Sequence, residues 1–96
     1  MAYFVYLLRC SDGTLYTGMT TDLHRRYAEH RSRGPKCAGY TRSHPVVRME
    51  AAFQAEDRSQ AARLEAAIKK LSRAEKEQLL RDPSGRGLVS VSVVTD

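Results

Sequence analysis

An α/β (α+β) fold, a small three-stranded antiparallel sheet flanked by helices, is predicted by three observations. Two aromatic and branched runs, Tyr3 to Cys10 and Leu15 to Met19, surround the turn "SDGT", the pattern of a β-hairpin. Val46 to Phe53 alternates well enough for a third strand. Apolar residues elsewhere recur at helical spacing behind capping residues. The 96 residues leave room for one core and no second module. Residues 1–82 are read as the domain, and residues 83–96 as a turn followed by an edge strand or tail.

The length of the first turn decides the faces of the hairpin. A two-residue Asp12-Gly13 loop pairs Cys10 with Leu15 and puts Tyr6 and Tyr16 on opposite faces, because a one-residue slip flips every side chain. A three-residue Ser11-Asp12-Gly13 loop, with Gly13 left-handed, pairs Leu8 with Tyr16 and Tyr6 with Gly18. The second register is preferred, since it puts both tyrosines on one face and gives Tyr6 a neighbour with no side chain.

"TTD" then supplies an N-cap, assigned to Asp22, for a helix running to about Arg33, where Gly34-Pro35 ends it. Helical spacing selects the face Leu23, Arg26, Tyr27, His30. An arginine and a histidine one turn apart interrupt a stripe that burial alone would make apolar. Of the two adjacent arginines, Arg26 is aimed inward and Arg25 elsewhere.

"GPKCAGYTRSHP" reads as a basic, turn-rich loop. In the third strand Val47, Met49, Ala51 and Phe53 are expected to face inward. Asp57 with Gln60 resembles a capping box opening a helix to about Leu71, with Ala61, Leu64, Ile68 and Leu71 as its buried stripe. Ser72 with Glu75 forms another, opening a helix to about Arg81. Glu65, on the edge of the first stripe, is the acid best placed for a metal ion. "LVSVSVV" from Leu88 alternates like an edge strand or a docked tail.

Sixteen Lys and Arg against eleven Asp and Glu give a formal charge of +5. The distribution says more than the total. From His24 to Arg48 lie Arg25, Arg26, Arg31, Arg33, Lys36, Arg42 and Arg48, with Glu29 the only acid and all three histidines, His24, His30 and His44. Such clustering fits a nucleic-acid partner. Cys10 and Cys37 are too few for a disulfide scaffold and match no zinc spacing, so they read as buried thiols in a reducing compartment. The N-terminal apolar run lacks a basic flank and is broken by Arg9, which argues against secretion and membrane insertion and for a cytoplasmic location.

An early "VYLL", then "YTG", then Arg and His on the next helix, then a helical Glu, together resemble the GIY-YIG nuclease superfamily. The chain is most similar to its small stand-alone bacterial, UPF0213-like branch. Val5-Tyr6-Leu7 stands where the first signature triplet belongs and Tyr16-Thr17-Gly18 where the second does. Arg26, His30 and Glu65 match the helix arginine, helix histidine and metal-binding glutamate. "GYTRSHP" and "LEAAIKKLSRAEKEQL" also look like family segments in the family's order. Phe4 departs from the glycine of the first triplet, and the chain has no asparagine to match the one some members use near the site.

The resemblance implies a metal-dependent endonuclease-like phosphodiesterase acting on DNA, branched or single-stranded forms included, that leaves 5′-phosphate and 3′-hydroxyl ends. Such hydrolysis needs a divalent ion, a cation for charge developing on the phosphate, and a group that deprotonates or orients water. Glu65 would hold one Mg²⁺ or Mn²⁺, with waters filling the other positions. Arg26 would brace the scissile phosphate. Tyr6 or Tyr16 would act on the water, and His30 would relay a proton or touch a phosphate. Arg31, Arg33, Lys36, Arg42 and Arg48 are candidate phosphate contacts, and Gly18 gives the substrate room to approach. A chain this short leaves selection to substrate shape or to a targeting protein. The rival expectation is a non-catalytic nucleic-acid-binding module that kept the fold.

Overall fold

Residues 2–32, 34–83 and 87–95 are described in a computed structural model of the chain. Arg33, one of the expected phosphate contacts, lies outside them. The hairpin of β1 (Tyr3–Cys10) and β2 (Leu15–Thr20) has the three-residue loop. Leu8 pairs with Tyr16 and Tyr6 with Gly18. Cys10 N–H donates to Thr14 O at 2.9 Å, and Gly13 takes φ 86°, the left-handed conformation a residue without Cβ adopts freely. Both tyrosines therefore share a face.

The chain continues through α1 (Leu23–Ser32), α2 (Gly39–Ser43), β3 (Val46–Ala55), α3 (Arg58–Lys69), α4 (Arg73–Arg81) and β4 (Val89–Ser90). The sheet is antiparallel in the order β2-β1-β3-β4. It has four strands, where three were expected. The added strand is only two residues long, pairing Ser90 with Phe53 and Val89 with Gln54. Beyond it Val91 N–H still reaches Ala52 O at 3.0 Å, while Val91, Val93 and Val94 pack against the core. The valine-serine alternation suits a strand and a docked tail equally, and the segment is some of each.

Both faces of the sheet are covered, which is why β1 reads as a continuous apolar run. On one side Tyr6, Leu8, Cys10, Met49 and Ala52 pack with Leu23 and Tyr27 of α1. On the other Val5, Leu7, Phe53 and Ala55 pack with Ala61 and Ile68 of α3 and Leu79 of α4. The expected inward set on β3 is corrected here. Leu7 pairs with Ala51 but Leu8 with Met49, and Arg9 with Arg48 but Cys10 with Val46, so Glu50 and Val47 are extra residues in the ladder. These bulges leave Val47 exposed, turn Met49 to the α1 side, and leave Ala51 and Phe53 on the α3 side.

The helix caps follow the sequence. Asp22 Oδ1 accepts from Arg25 N–H at 3.1 Å, and Asp57 Oδ1 from Gln60 N–H at 2.8 Å. The Gln60 side chain reaches back to Glu56 N–H at 2.7 Å, one residue before the cap itself. Ser72 and Glu75 form the complete reciprocal box.

Arg9, which breaks the apolar run, is satisfied from far along the chain. It gives a bidentate pair to Glu77 at 2.8 and 2.7 Å, one bond to Glu50 at 3.0 Å and one to Gly13 O at 2.9 Å. A charge this enclosed is tolerated because its donors are met by carboxylates and a carbonyl. The result ties the hairpin turn to α4. No helix among the described residues is long and apolar enough to cross a membrane.

Candidate active site

Tyr6 projects from the middle of β1 toward α1, and the register puts Gly18 beside it. A Cβ built on Gly18 would lie 2.6 Å from Tyr6 Cζ and closer still to the hydroxyl. Only glycine leaves space for this ring, so the glycine serves close approach rather than a turn.

The Tyr6 hydroxyl is 2.8 Å from His30 Nε2, and His30 Nδ1 is 2.6 Å from Thr41 Oγ1. Thr41 in turn donates to Ala38 O at 3.2 Å. The Thr41 proton has two acceptors in reach, Ala38 O and His30 Nδ1; when it goes to Ala38, Thr41 accepts from His30 Nδ1–H and Nε2 is left to accept from the Tyr6 O–H. Cys37 closes the group, with Sγ 3.0 Å from Thr41 Oγ1 and directed at His30 O at 3.6 Å.

Electrostatics keeps the ring uncharged. Burial, reinforced by the Arg26 charge, drops the His30 pKa to about 4, so the imidazole is neutral at physiological pH. Burial also raises the Tyr6 phenol well above its ordinary range, with Tyr16 and Glu65 acting in the same direction and Arg26 opposing. Tyr16 is raised too, again by burial first, with Arg26 lowering it and Glu65 raising it. The resting site therefore holds two protonated phenols and one neutral imidazole.

Tyr16 follows on β2, its ring 5.3 Å from that of His30. Outside it the rings continue to Tyr40 at 5.7 Å and from Tyr40 to His44 at 4.0 Å, the last two parallel within 6°. The Tyr16 hydroxyl has no hydrogen-bond partner among the described residues. Thr17 Oγ1, buried on the strand next to it, also has none among them.

Arg26 lies on the predicted face of α1. It donates to Glu29 Oε1 at 2.9 Å and to Lys36 O at 2.7 Å. Burial works against its charge, but Glu29 and the Tyr6 hydroxyl hold the guanidinium protonated. Arg26 reciprocally holds the Glu29 carboxyl below its usual range. Arg25 points outward, as expected, with Glu29 only at 3.9 Å.

Glu65 comes from α3, and its charge acts on the hydroxyls of both Tyr6 and Tyr16. Its side chain is 23% exposed, with Lys69 at 3.8 Å. Among the described residues no three His, Cys, Asp or Glu side chains gather closely enough to cage a metal. A lone, reachable carboxylate fits a hard cation that keeps most of its waters, as Mg²⁺ does, and does not fit a structural zinc.

Tyr6, Tyr16, Arg26 and His30 thus come together, while Glu65 is linked to them through the effect of its charge on the two phenols. The expected phosphate contacts are more dispersed. Arg31 donates to Val46 O at 3.0 Å and Val47 O at 2.8 Å, tying α1 to β3. Arg42 reaches Gly34, Pro35 and Cys37 carbonyls at 3.3 to 3.4 Å. Arg48 pairs with Glu50 at 2.8 Å. Lys36 is exposed.

Sequence reasoning left out Thr41, Tyr40, Cys37 and Glu29. The segment holding the first three was expected to be a loop but contains the five-residue α2, with Thr41 fully buried. The available signal was "GYTRSHP" itself, which spaces Tyr40 and His44 one helical turn apart.

Residues 2–78 match the family model of the GIY-YIG catalytic domain. UPF0213 protein FN1575 of Fusobacterium nucleatum is 47% identical over 83 residues, 86% of this chain and 81% of the relative. UPF0213 protein VNG_2274C of Halobacterium salinarum is 47% identical over 77 residues, 80% of this chain and 97% of the relative. Among solved structures, the protein EF2693 of E. faecalis superposes with a TM-score of 0.58 at 41% identity, covering 84% of each chain. UPF0213 protein BH0048 of Bacillus halodurans gives a TM-score of 0.51 at 42% identity, also covering 84% of each chain.

Proposed function

The chain belongs to the GIY-YIG catalytic-domain family, a nuclease-type hydrolase superfamily, and from that premise we propose that it is a divalent-metal-dependent endonuclease acting on DNA. The observation that carries this reading is the Tyr6–His30–Thr41 chain, with Arg26 beside it and Glu65 facing it.

A phenol held above its ordinary 10.0 and an imidazole held near 4 make complete proton transfer between them cost at least about 8 kcal/mol in the resting site. A standing Tyr6 phenolate is therefore not the base. With Nδ1–H on Thr41, the Tyr6–His30 hydrogen bond allows a concerted relay instead. As water attacks phosphorus its proton moves to the Tyr6 oxygen, while the Tyr6 proton moves to His30 Nε2. Thr41, accepting from Nδ1–H, holds the imidazole in the tautomer that this requires.

Tyr16 has a free hydroxyl and is placed to orient the water or a phosphate oxygen. Arg26, always charged, stabilises the negative charge gathering on the phosphate oxygens once the phosphate displaces Glu29 from its fork. Glu65 would hold Mg²⁺ or Mn²⁺, which would supply Lewis-acid polarisation of the phosphate and neutralise the leaving oxygen. Attack by water with loss of the 3′-oxygen leaves a 5′-phosphate and a 3′-hydroxyl. Selection among substrates falls to shape, with flapped, branched and single-stranded DNA as the forms to compare, or to a targeting protein.

The test is nicking of linear, flapped and branched DNA with Mg²⁺ or Mn²⁺, comparing the wild type with Arg26→Ala and Glu65→Gln under chelator control. Each substitution is expected to lower cleavage about 10²–10³-fold, the range for removing one preorganised charge-stabilising group. Binding without cleavage in the wild type, or cleavage indifferent to both changes, sinks the enzymatic reading.

A further inference from the structure

Around Arg26 the cationic surface extends past the groups that the hydrolytic chemistry uses. It is an open depression of about 530 Å³ between the start of α1 and the start of α3, with Tyr3, Thr21, Arg25, Arg26, Glu29 and Arg58 on its walls. Three guanidiniums face it against one carboxylate, and that carboxylate is already committed to Arg26 at 2.9 Å.

The other two arginines are free to reach outward. The Arg25 side chain is 60% exposed, with Glu29 only at 3.9 Å. Arg58, the first residue of α3, is exposed and has no hydrogen bond or ion pair among the described residues. The Oδ1 of its acidic neighbour Asp57 accepts from the Gln60 N–H as the helix cap. Arg31, Arg42 and Arg48 instead have their guanidiniums on the chain's own carbonyls or on Glu50, and would have to break those contacts to bind a phosphate.

We propose that this depression is a track for the backbone of one nucleic-acid strand, in which Arg25 and Arg58 contact phosphates flanking the one held by Arg26. The inference rests on the hydrolytic reading above and extends the substrate beyond the scissile bond. A depression this open does not enclose a small ligand, but a strand can lie across it. Tyr3, half-buried against the core on the same wall, puts an aromatic side chain where an unpaired base would lie. That favours a single strand over duplex and over an acidic peptide.

The experiment reads binding with a chelator present, so that cleavage plays no part. A fluorescein-labelled oligothymidylate is titrated at several salt concentrations with the wild type, with Arg25→Ala/Arg58→Ala, and with Arg63→Ala. Arg63 is an exposed α3 residue bonded to Ser59 at 3.1 Å and stands for a charge lost elsewhere. The slope of log K against log salt is expected to shrink by about 0.7 for each lost contact, about 1.4 for the double variant. Arg63→Ala is expected to keep the wild-type slope, as is the charge-keeping Arg25→Lys/Arg58→Lys pair.

Equal slopes for wild type and double variant overturn the track while leaving the nuclease reading standing. So does an Arg63→Ala effect half as large as that of the double variant or larger, or polyglutamate competing as well as the oligonucleotide. A wild type that binds no nucleic acid overturns both. A wild type that binds with the expected slopes but does not cut supports the track and removes the enzyme.

Discussion

On β1, Val5 and Leu7 face α3 and α4 while Tyr6 and Leu8 face α1. Alternate residues of one strand thus supply two environments. The α3/α4 side is closed by Phe53, Ala61, Ile68 and Leu79, with hardly a polar atom among them. The α1 side buries Tyr6, His30, Thr41 and Cys37 in a chain of hydrogen bonds. Apolar contacts are forgiving in direction, and their contribution grows with area. A buried polar chain stabilises only while each donor has its acceptor, and removing one member leaves the next unmet. The difference teaches where chemistry can be held: the apolar face keeps the sheet rigid, and that rigidity lets the other face keep reactive groups in one hydrogen-bonding state.

The sharpest way to break this comparison is to damage the apolar side alone. Phe53→Ala, at a side chain 1% exposed, is expected to lower stability by about 3–5 kcal/mol in denaturant unfolding. Cleavage by the fraction still folded is expected to stay near the wild-type rate. A comparable loss of rate in fully folded material would show that the two faces are not separable.

The second prediction uses pH. His30 has a folded pKa near 4 against an ordinary 6.5, so the unfolded chain binds a proton through this window and the folded chain does not. The contribution is complete above about pH 6.5 and is lost as pH falls toward 4. Up to about 3 kcal/mol of acid destabilisation follows from this one group. Melting between pH 7 and 4 is expected to show it, and His30→Gln, which does not titrate, to flatten that stretch of the curve.

Gly18→Ala is the smallest change and the most local. The new Cβ meets the Tyr6 ring, and overpacking of this kind costs about 1–3 kcal/mol. Because the ring must shift to admit it, cleavage is expected to fall further than stability does. A fully active Gly18→Ala variant would mean that Tyr6 need not sit where His30 holds it.

Much of this architecture was legible because its signals are local. The Gly13 bulge fixed the hairpin register from three turn residues, and helical spacing separated Arg26 from Arg25. The convergence of Tyr6, Tyr16, Arg26 and His30 followed from those two facts. What escaped depends on partners distant in sequence. The bulges at Val47 and Glu50 change which β3 residues face inward, and alternation cannot reveal an extra residue in a ladder. The segment from Leu88 was read as an edge strand or a tail, and only the free edge at Phe53 and Gln54 decides where the strand ends and the tail begins. Thr41 looks like any loop hydroxyl until α2 turns it onto His30, and Arg9 looked like an interruption because its acid lies 68 residues away.

That separation bears on how fast the molecule comes apart. The Arg9–Glu77 pair joins the first strand to the last helix, so it can form only once α4 has docked, a step we expect to follow the folding transition state. Interactions absent from the folding transition state act mainly on the unfolding rate. Glu77→Gln is therefore expected to steepen escape from the native state and leave the refolding limb of a chevron nearly unmoved. A slowed refolding limb would place α4 docking in the folding nucleus instead. On this view the ion pair is a latch on lifetime: it sets how long a finished molecule stays assembled, and has little say in how quickly one is made.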